Sequence, residues 1–334
     1  MVMPVRKSCA RRSSHRAASD QLESAVKPLA TSQLSVSAPV APSNQAAQAY
    51  DMAGRNYLSY ADGDASRPFD FTSRYSFADR EIWRRLEAAL KRLHASGRRT
   101  LSLLDAGCGP GTWTRRVALR ARQIGFERVN AFGFDISPAM IALAKSTLGS
   151  IDDQAIRMSF MVRDITNGRA FNDQEFDLCL CLYGVFNHLP VAVHDQVARE
   201  LVRVTQDTLF VTVRAAGSLP TIYVDSLDHA RAFYQDNVAD RMEVDMLNGE
   251  HIGFTSHLFT STELGALFRP HLAEAALVGL DVFHSRFATD GRWNPTTLAG
   301  ESEFDSDLDE LEYRYASDPR FIDRSAHILL VGER

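Results

Sequence analysis

Leu103-Leu104-Asp105-Ala106-Gly107-Cys108-Gly109-Pro110-Gly111-Thr112 is the stretch on which the fold turns. Residues 101–104 form an apolar run with the length of a buried strand. Three glycines follow, and then a helical pattern begins. Trp113, Val117, Ala121 and Ile124 fall on one face of that helix. Glycines between a strand and a helix let the backbone turn tightly and approach a ligand closely. The helix start points free N–H groups at whatever sits there, and an anionic group suits them.

The same rhythm continues outward. Residues 129–134, 158–163, 176–182 and 208–213 read as further strands. Between them lie helices, one opened by Ser137-Pro138 with Ile141, Ala144 and Leu148 inward. Another is opened by Pro190, with Val193, Val197, Leu201 and Val204 inward. Strands alternating with helices imply parallel pairing in a doubly wound α/β sheet. Upstream, Ile82, Leu86, Leu90 and Leu93 mark a helix face, with Ser76 and Asp79 spaced as a capping box and Gly97 at its end. Downstream the rhythm breaks. Residues 215–260 read as mixed helix and loop, 260–268 as a helix and 274–283 as a sixth strand. Residues 301–318 read as a solvated acidic helix or loop, and 326–331 as a seventh strand.

Composition bounds the alternatives. The net charge is −5, yet residues 1–50 carry six Lys or Arg against two acids, so the remaining body carries −9. An acidic body gains nothing from counterion release, which argues against nucleic acid as partner. Residues 1–49 hold no aromatic residue and are rich in Ser, Ala and Pro. They loosely resemble an organelle transit peptide, but read as a disordered basic tail, with order beginning near Tyr50. No apolar run reaches the length of a membrane span. Cys9, Cys108, Cys179 and Cys181 form no Cys-x-x-Cys pair and no zinc spacing, and no acidic cluster has metal-ligand spacing. Cys179 and Cys181 would share one strand face as reduced thiols, which places the chain in a reducing, cytoplasmic setting.

The glycine spacing is G-x-G-x-G, whereas dinucleotide enzymes use G-x-G-x-x-G, and Thr112 takes the place of their third glycine. Asp105 to Gly111 instead resembles motif I of the class I S-adenosylmethionine-dependent methyltransferases, over roughly residues 76–214. Asp135 in Gly-Phe-Asp-Ile-Ser and Asp164 in Val-Arg-Asp-Ile match the family's acids at the next two strand ends. The resemblance implies a Rossmann-like sheet of seven mostly parallel strands with the last antiparallel. It implies a methyltransferase domain over residues 98–334, a lid with the first helices over 50–97, and an acceptor-site insert near 215–260. It implies S-adenosylmethionine as cofactor. Asp105, Gly107, Gly109 and Gly111 would face its amino-acid end, and Asp135 with Ile136 its ribose. Asp164 and Ile165 would meet the adenine, and Leu182 and Tyr183 the sulfonium.

A carboxylate accepts hydrogen bonds from ribose hydroxyls, but each Asp could equally be a helix cap. His188 in Phe-Asn-His-Leu-Pro is the candidate general base, weighed against a structural histidine. His257, His284 and Arg286 are weaker candidates, with residues 283–287 as pocket wall or strand end. Tyr57, Tyr60 and Tyr75 could close the site or pack as a lid, and Trp113 could border the methionine tail. The expected reaction is methyl transfer to O or N of a small molecule. A nicotinamide-dependent oxidoreductase and a non-catalytic binding protein stay open beside it.

Overall fold

The structure, a computed structural model, describes residues 42–53, 68–71, 76–146, 148, 151–218, 230–284 and 303–334. In chain order the elements are α1 (Pro42–Ala53), α2 (Ser76–Ala95), β1 (Thr100–Ala106), α3 (Thr112–Ile124), β2 (Arg128–Asp135) and α4 (Pro138–Ser146). Next come β3 (Ile156–Val162), β4 (Phe176–Cys181), α5 (Val191–Val204) and β5 (Thr205–Arg214). Then follow β6 (Ala230–Asp236), β7 (Arg241–Met246), β8 (His251–Thr255), α6 (Ser261–Phe268) and β9 (Glu274–Leu280). Last are α7 (Glu303–Tyr315), α8 (Pro319–Ile322) and β10 (His327–Glu333).

One sheet of seven strands takes the order β3-β2-β1-β4-β5-β10-β9. The first five strands pair parallel, and β10 runs antiparallel to both β5 and β9. The doubly wound fold with an antiparallel last strand is therefore present. β4 shows why its sequence is so apolar: all six residues are buried, as a central strand covered on both faces requires. Its one charged residue, Asp177, accepts from Ser102 N at 2.8 Å and pairs with Arg98 at 3.2 Å. Cys179 and Cys181 are free thiols on one face, packed with Val197 and Leu201. Burial pushes both thiols up, Cys179 to about 12.

Two layers of helix cover the sheet. Ile82, Leu86 and Leu90 of α2 join Val117 and Ala121 of α3 in one core. Val197 and Leu201 of α5 join Leu264 and Phe268 of α6 in the other. Ile141 and Ala144 of α4 pack on Phe160 and Cys108. Among the described residues no helix is long and apolar enough to cross a membrane.

Three expectations need correction. Residues 230–255 are an antiparallel three-stranded sheet, β6-β7-β8, where mixed helix and loop was expected. The alternation was there in Arg241-Met-Glu-Val-Asp-Met246, with Met242 and Val244 buried beside Phe254. Half of β7 is charged, so its apolar half is too short to stand out. Second, α1 begins at Pro42, so residues 42–49 are helical and not part of a disordered tail. Ala49 packs on the Met242–Val244–Phe254 cluster, and that tertiary contact supplies what composition lacks. Residues 1–41 lie outside the described residues. Third, the acidic helix α7 is not wholly solvated. Glu312 is fully buried and accepts from the backbone N–H groups of Val282, Phe283 and His284.

The site-bearing end of the sheet is packed tightly. A Cβ on Gly133 would stand 2.6 Å from the Phe160 ring. Gly133→Ala is expected to lower stability by about 1–3 kcal/mol in a denaturant titration, the usual cost of overpacking.

Candidate active site

β1 and β4 are neighbours in the sheet, but the chain leaves them towards different helices. That topological switch opens a crevice beyond their carboxyl ends. The loop from β1 to α3 is built on left-handed glycines: φ is +77° at Gly107 and +81° at Gly111. Gly107 N and Cys108 N both donate to Phe134 O, at 2.8 and 2.9 Å. The loop is thereby tied to the end of β2. A Cβ at Gly107 would lie 2.2 Å from Val185 Cγ2, so only glycine lets this loop meet the turn after β4. Gly111 precedes α3, where a Cβ would meet Phe160 at 2.9 Å. Its smallness serves packing beneath the cleft.

The acids occupy two levels. Asp105 lies beneath the cleft and accepts from Thr114 Oγ1 at 2.6 Å. Burial, with the neighbouring charge of Asp135, pushes its carboxyl up to about 7. Asp135 lines the cleft. Its Oδ2 accepts from Gly109 N and its Oδ1 from Ser137 N, both at 2.9 Å. Burial raises its carboxyl as well. Asp164 lines the cleft from the end of β3, with Oδ1 accepting from Thr166 N at 2.9 Å and Oγ1 at 2.8 Å. Oδ2 is its remaining acceptor.

The far wall follows β4. Leu182 and Tyr183 line it, and Tyr183 is held at φ +55°, a strained angle for a tyrosine. Its amide donates to Thr212 Oγ1 and its phenol to the buried Asp79. Burial and that carboxylate raise the phenol well above its ordinary value. His188 closes a single 3₁₀ turn, Phe186–His188. Its Nδ1 lies 2.9 Å from Thr255 O, which can only accept, so Nδ1 carries the proton. Nε2 then accepts from Tyr50 OH at 3.1 Å. Burial lowers His188 to about 4, so the ring is neutral near pH 7.

The cleft encloses about 710 Å³ of empty space, its open mouth included. Gly107, Gly109, Asp135 and Ile136 line one side, and Asp164, Ile165, Leu182, Tyr183 and His188 complete it. Asp105 and Gly111 support the loop without reaching the cleft. Sequence reasoning missed Tyr50, Phe134, Met140, Arg163, Val185 and Leu189. Phe134 and Met140 flank the recognised Asp135-Ile-Ser-Pro and could have been found from it. Tyr50 has no local signal, because α1 reaches the site only through tertiary packing. Asp51 belongs with it: this carboxylate accepts from Ser137 Oγ and from Ala139 N at 3.2 Å, strapping α1 to the start of α4.

The other candidates are dispersed. His284 stacks on Phe77 and lies 2.7 Å from Asp309, and His257 lies between Asp240 and Glu263. Trp113 stands 6.3 Å from the Tyr183 ring, within the core. Arg286, Tyr57, Tyr60 and Tyr75 lie outside the described residues. Apolar walls with two carboxylates at separate strand ends fit a nucleoside, whose sugar offers hydroxyl donors and whose base offers flat faces and an amino group.

Asp105 supplies a pH test. Its folded pKa, about 7, lies above the ordinary value near 4. Between those values the folded chain keeps a proton that the unfolded chain has lost, so this group's stabilisation fades as pH rises towards 7. Asp105→Asn retains an acceptor for Thr114 and removes the titration. Relative to wild type, it is expected to gain roughly 2–3 kcal/mol between pH 5 and pH 8, read by urea unfolding at both.

Residues 103–208 match the family model described as a methyltransferase domain. No curated protein matches the chain by sequence. Solved structures with a similar course include magnesium protoporphyrin IX methyltransferase from Synechocystis, crystallised with S-adenosylhomocysteine. It shares 13% identity, with 88% of this chain and 100% of that one covered at TM-score 0.46. A methyltransferase from Clostridium acetobutylicum shares 13% identity, covering 83% and 98% at TM-score 0.44. The [4+2]-cyclase SpnF shares 16% identity, covering 89% and 97% at TM-score 0.44. The family match spans β1 into β5, the part of the sheet that builds the glycine loop and carries all three strand-end carboxylates. That loop, set at the switch point of a 3-2-1-4-5 core, lies within the segment that carries the match to a methyltransferase domain.

Proposed function

We propose that the enzyme methylates an O or N atom of a small molecule bound beside Tyr50 and His188. When bound, S-adenosylmethionine supplies the methyl group and the positive sulfur that makes it transferable. The chain's own part is alignment. Asp135 would hold the ribose hydroxyls, and the free oxygen of Asp164 the adenine amino group, with Ile136 and Ile165 against the flat faces. The backbone at Gly107 and Gly109 would take the amino-acid end. Leu182 and Tyr183 would face the reacting end.

The observation that carries the reading is the Tyr50–His188 pair on the cleft wall. A histidine lowered to about 4 is a weak base at neutral pH. We therefore assign His188 to positioning: Thr255 fixes its tautomer, and Nε2 fixes the Tyr50 hydroxyl. Tyr50 lines the cleft, where its hydroxyl would meet a polar group of the acceptor molecule. α1, strapped by Asp51, brings that oxygen over the site and keeps water out. A body carrying −9 supports a small acceptor over nucleic acid.

Tyr50→Phe and His188→Ala are each expected to slow transfer of labelled methyl into a small-molecule panel by about 10–100-fold. The double variant should be no slower than the worse single one, because the residues act as a unit. Affinity for S-adenosylhomocysteine should stay within about twofold. Full turnover by Tyr50→Phe would remove the pair from the chemistry. Label in RNA or DNA instead would overturn the acceptor class. Asp135→Ala is expected to weaken S-adenosylhomocysteine binding by about 1.5–3 kcal/mol in a calorimetric titration.

A further inference from the structure

Away from the cleft, His194 of α5, His257 after β8 and Glu263 in the first turn of α6 converge. One donor atom from each lies within 4.8 Å of one from each of the others. His194 is buried, His257 nearly so and Glu263 half-exposed. Sequence spacing could not show the group, because its members come from three separate elements.

The hydrogen-bond accounting around His257 is unusual. Nδ1 lies 2.8 Å from Asp240 Oδ1, and Nε2 lies 2.7 Å from Glu263 Oε1. A neutral imidazole has one N–H and can satisfy only one carboxylate. A cation must therefore sit at the other nitrogen, either a proton or a metal ion. His194 decides between them. Its Nε2 lies 3.0 Å from Leu189 O, which can only accept, so Nε2 keeps the proton and Nδ1 keeps a ligating lone pair. A second histidine beside a proton adds nothing, whereas beside a metal it adds a ligand.

The outer partners fit the same reading. Ligating histidines characteristically donate their second N–H to a carboxylate or a backbone carbonyl, which fixes the ring. Asp240 serves His257 in this way and Leu189 serves His194. Asp240 is held for the task at φ +51°, its carbonyl accepting from Ser256 N at 2.8 Å. Glu263 is three residues after the helix cap Thr260, which accepts from Glu263 N. A Glu there commonly folds back to the cap. This one reaches His257.

We propose that His194, His257 and Glu263 form a structural site for a zinc-class divalent ion. Two imidazoles and one carboxylate suit that ion, with water as fourth ligand. Bonds of about 2.0–2.1 Å set ligand atoms about 3.3 Å apart in a tetrahedron, so the Nε2–Oε1 pair opens by about 0.6 Å on loading. Glu263 is exposed enough to make that move. The ion would fasten the β6-β7-β8 sheet to α5 and α6. It would also brace the turn bearing His188, since His257 N donates to Asn187 O at 2.8 Å and Asn187 Nδ2 donates back to His257 O.

The test uses the full chain, stripped with a chelator, dialysed and titrated with zinc chloride or magnesium chloride. One equivalent of zinc is expected to stay bound by elemental analysis. Zinc should raise Tm by about 5 °C at a hundredfold excess over Kd, and magnesium should leave it unchanged. Cobalt should give the visible absorption of a tetrahedral site. Glu263→Gln should lose zinc retention and the Tm rise while still binding S-adenosylhomocysteine, which shows it folded. Absence of zinc uptake by wild type, or unchanged retention in Glu263→Gln, would overturn the site.

Discussion

The cleft depends on how closely two loops approach each other at the carboxyl end of the sheet. Gly107 leaves β1 and passes against Val185, which follows β4, with no room for a side chain between them. The Phe134 carbonyl fixes this path by accepting two successive amides of the glycine loop. Asp135, the next residue, then reaches both the loop, at Gly109, and the start of α4, at Ser137. One short stretch of β2 thus sets the position of the glycine loop and of the start of α4. A shift of the loop would carry the carboxylate with it.

Around that constraint the protein buries charge it must then manage. Asp105 and Asp135 are raised by burial, Asp105 also by the charge of Asp135 and Asp135 by that of Asp51. Their hydrogen bonds to Thr114, Gly109 and Ser137 offset part of the desolvation. The remainder is a local cost that leaves polar groups poised for a ligand. α1 adds a cover held by polar contacts of Asp51 to the start of α4, Tyr50 to His188 and Gln45 to Arg241. Such contacts, with one small apolar cluster at Ala49, form an attachment that can open more easily than the sheet core.

Much of this was legible in the sequence for a physical reason. Buried parallel strands need continuous apolar runs, and the glycine loop needs positive φ, so both leave marks on the residues themselves. Strand-end acids were found because the βα rhythm places strand ends. Gly107, Gly109, Asp135, Asp164 and His188 accordingly line the cleft. Asp105 was recognised as part of the motif, but burial turned it into a support. What left no mark was long-range. Tyr50 and Asp51 act 138 and 86 residues from their partners. Glu312 looks like any acid of α7 until its carboxylate is seen holding three amides after β9. The β6-β7-β8 sheet was hidden by charges on its solvated face.

The central claim is that the glycine loop and the strand-end carboxylates recognise an adenosyl amino acid rather than a dinucleotide. Isothermal titration of the intact chain addresses it directly, with S-adenosylhomocysteine in one cell and NAD in another. The account predicts saturable one-to-one heat with the first and none with the second. Heat with NAD alone would contradict it.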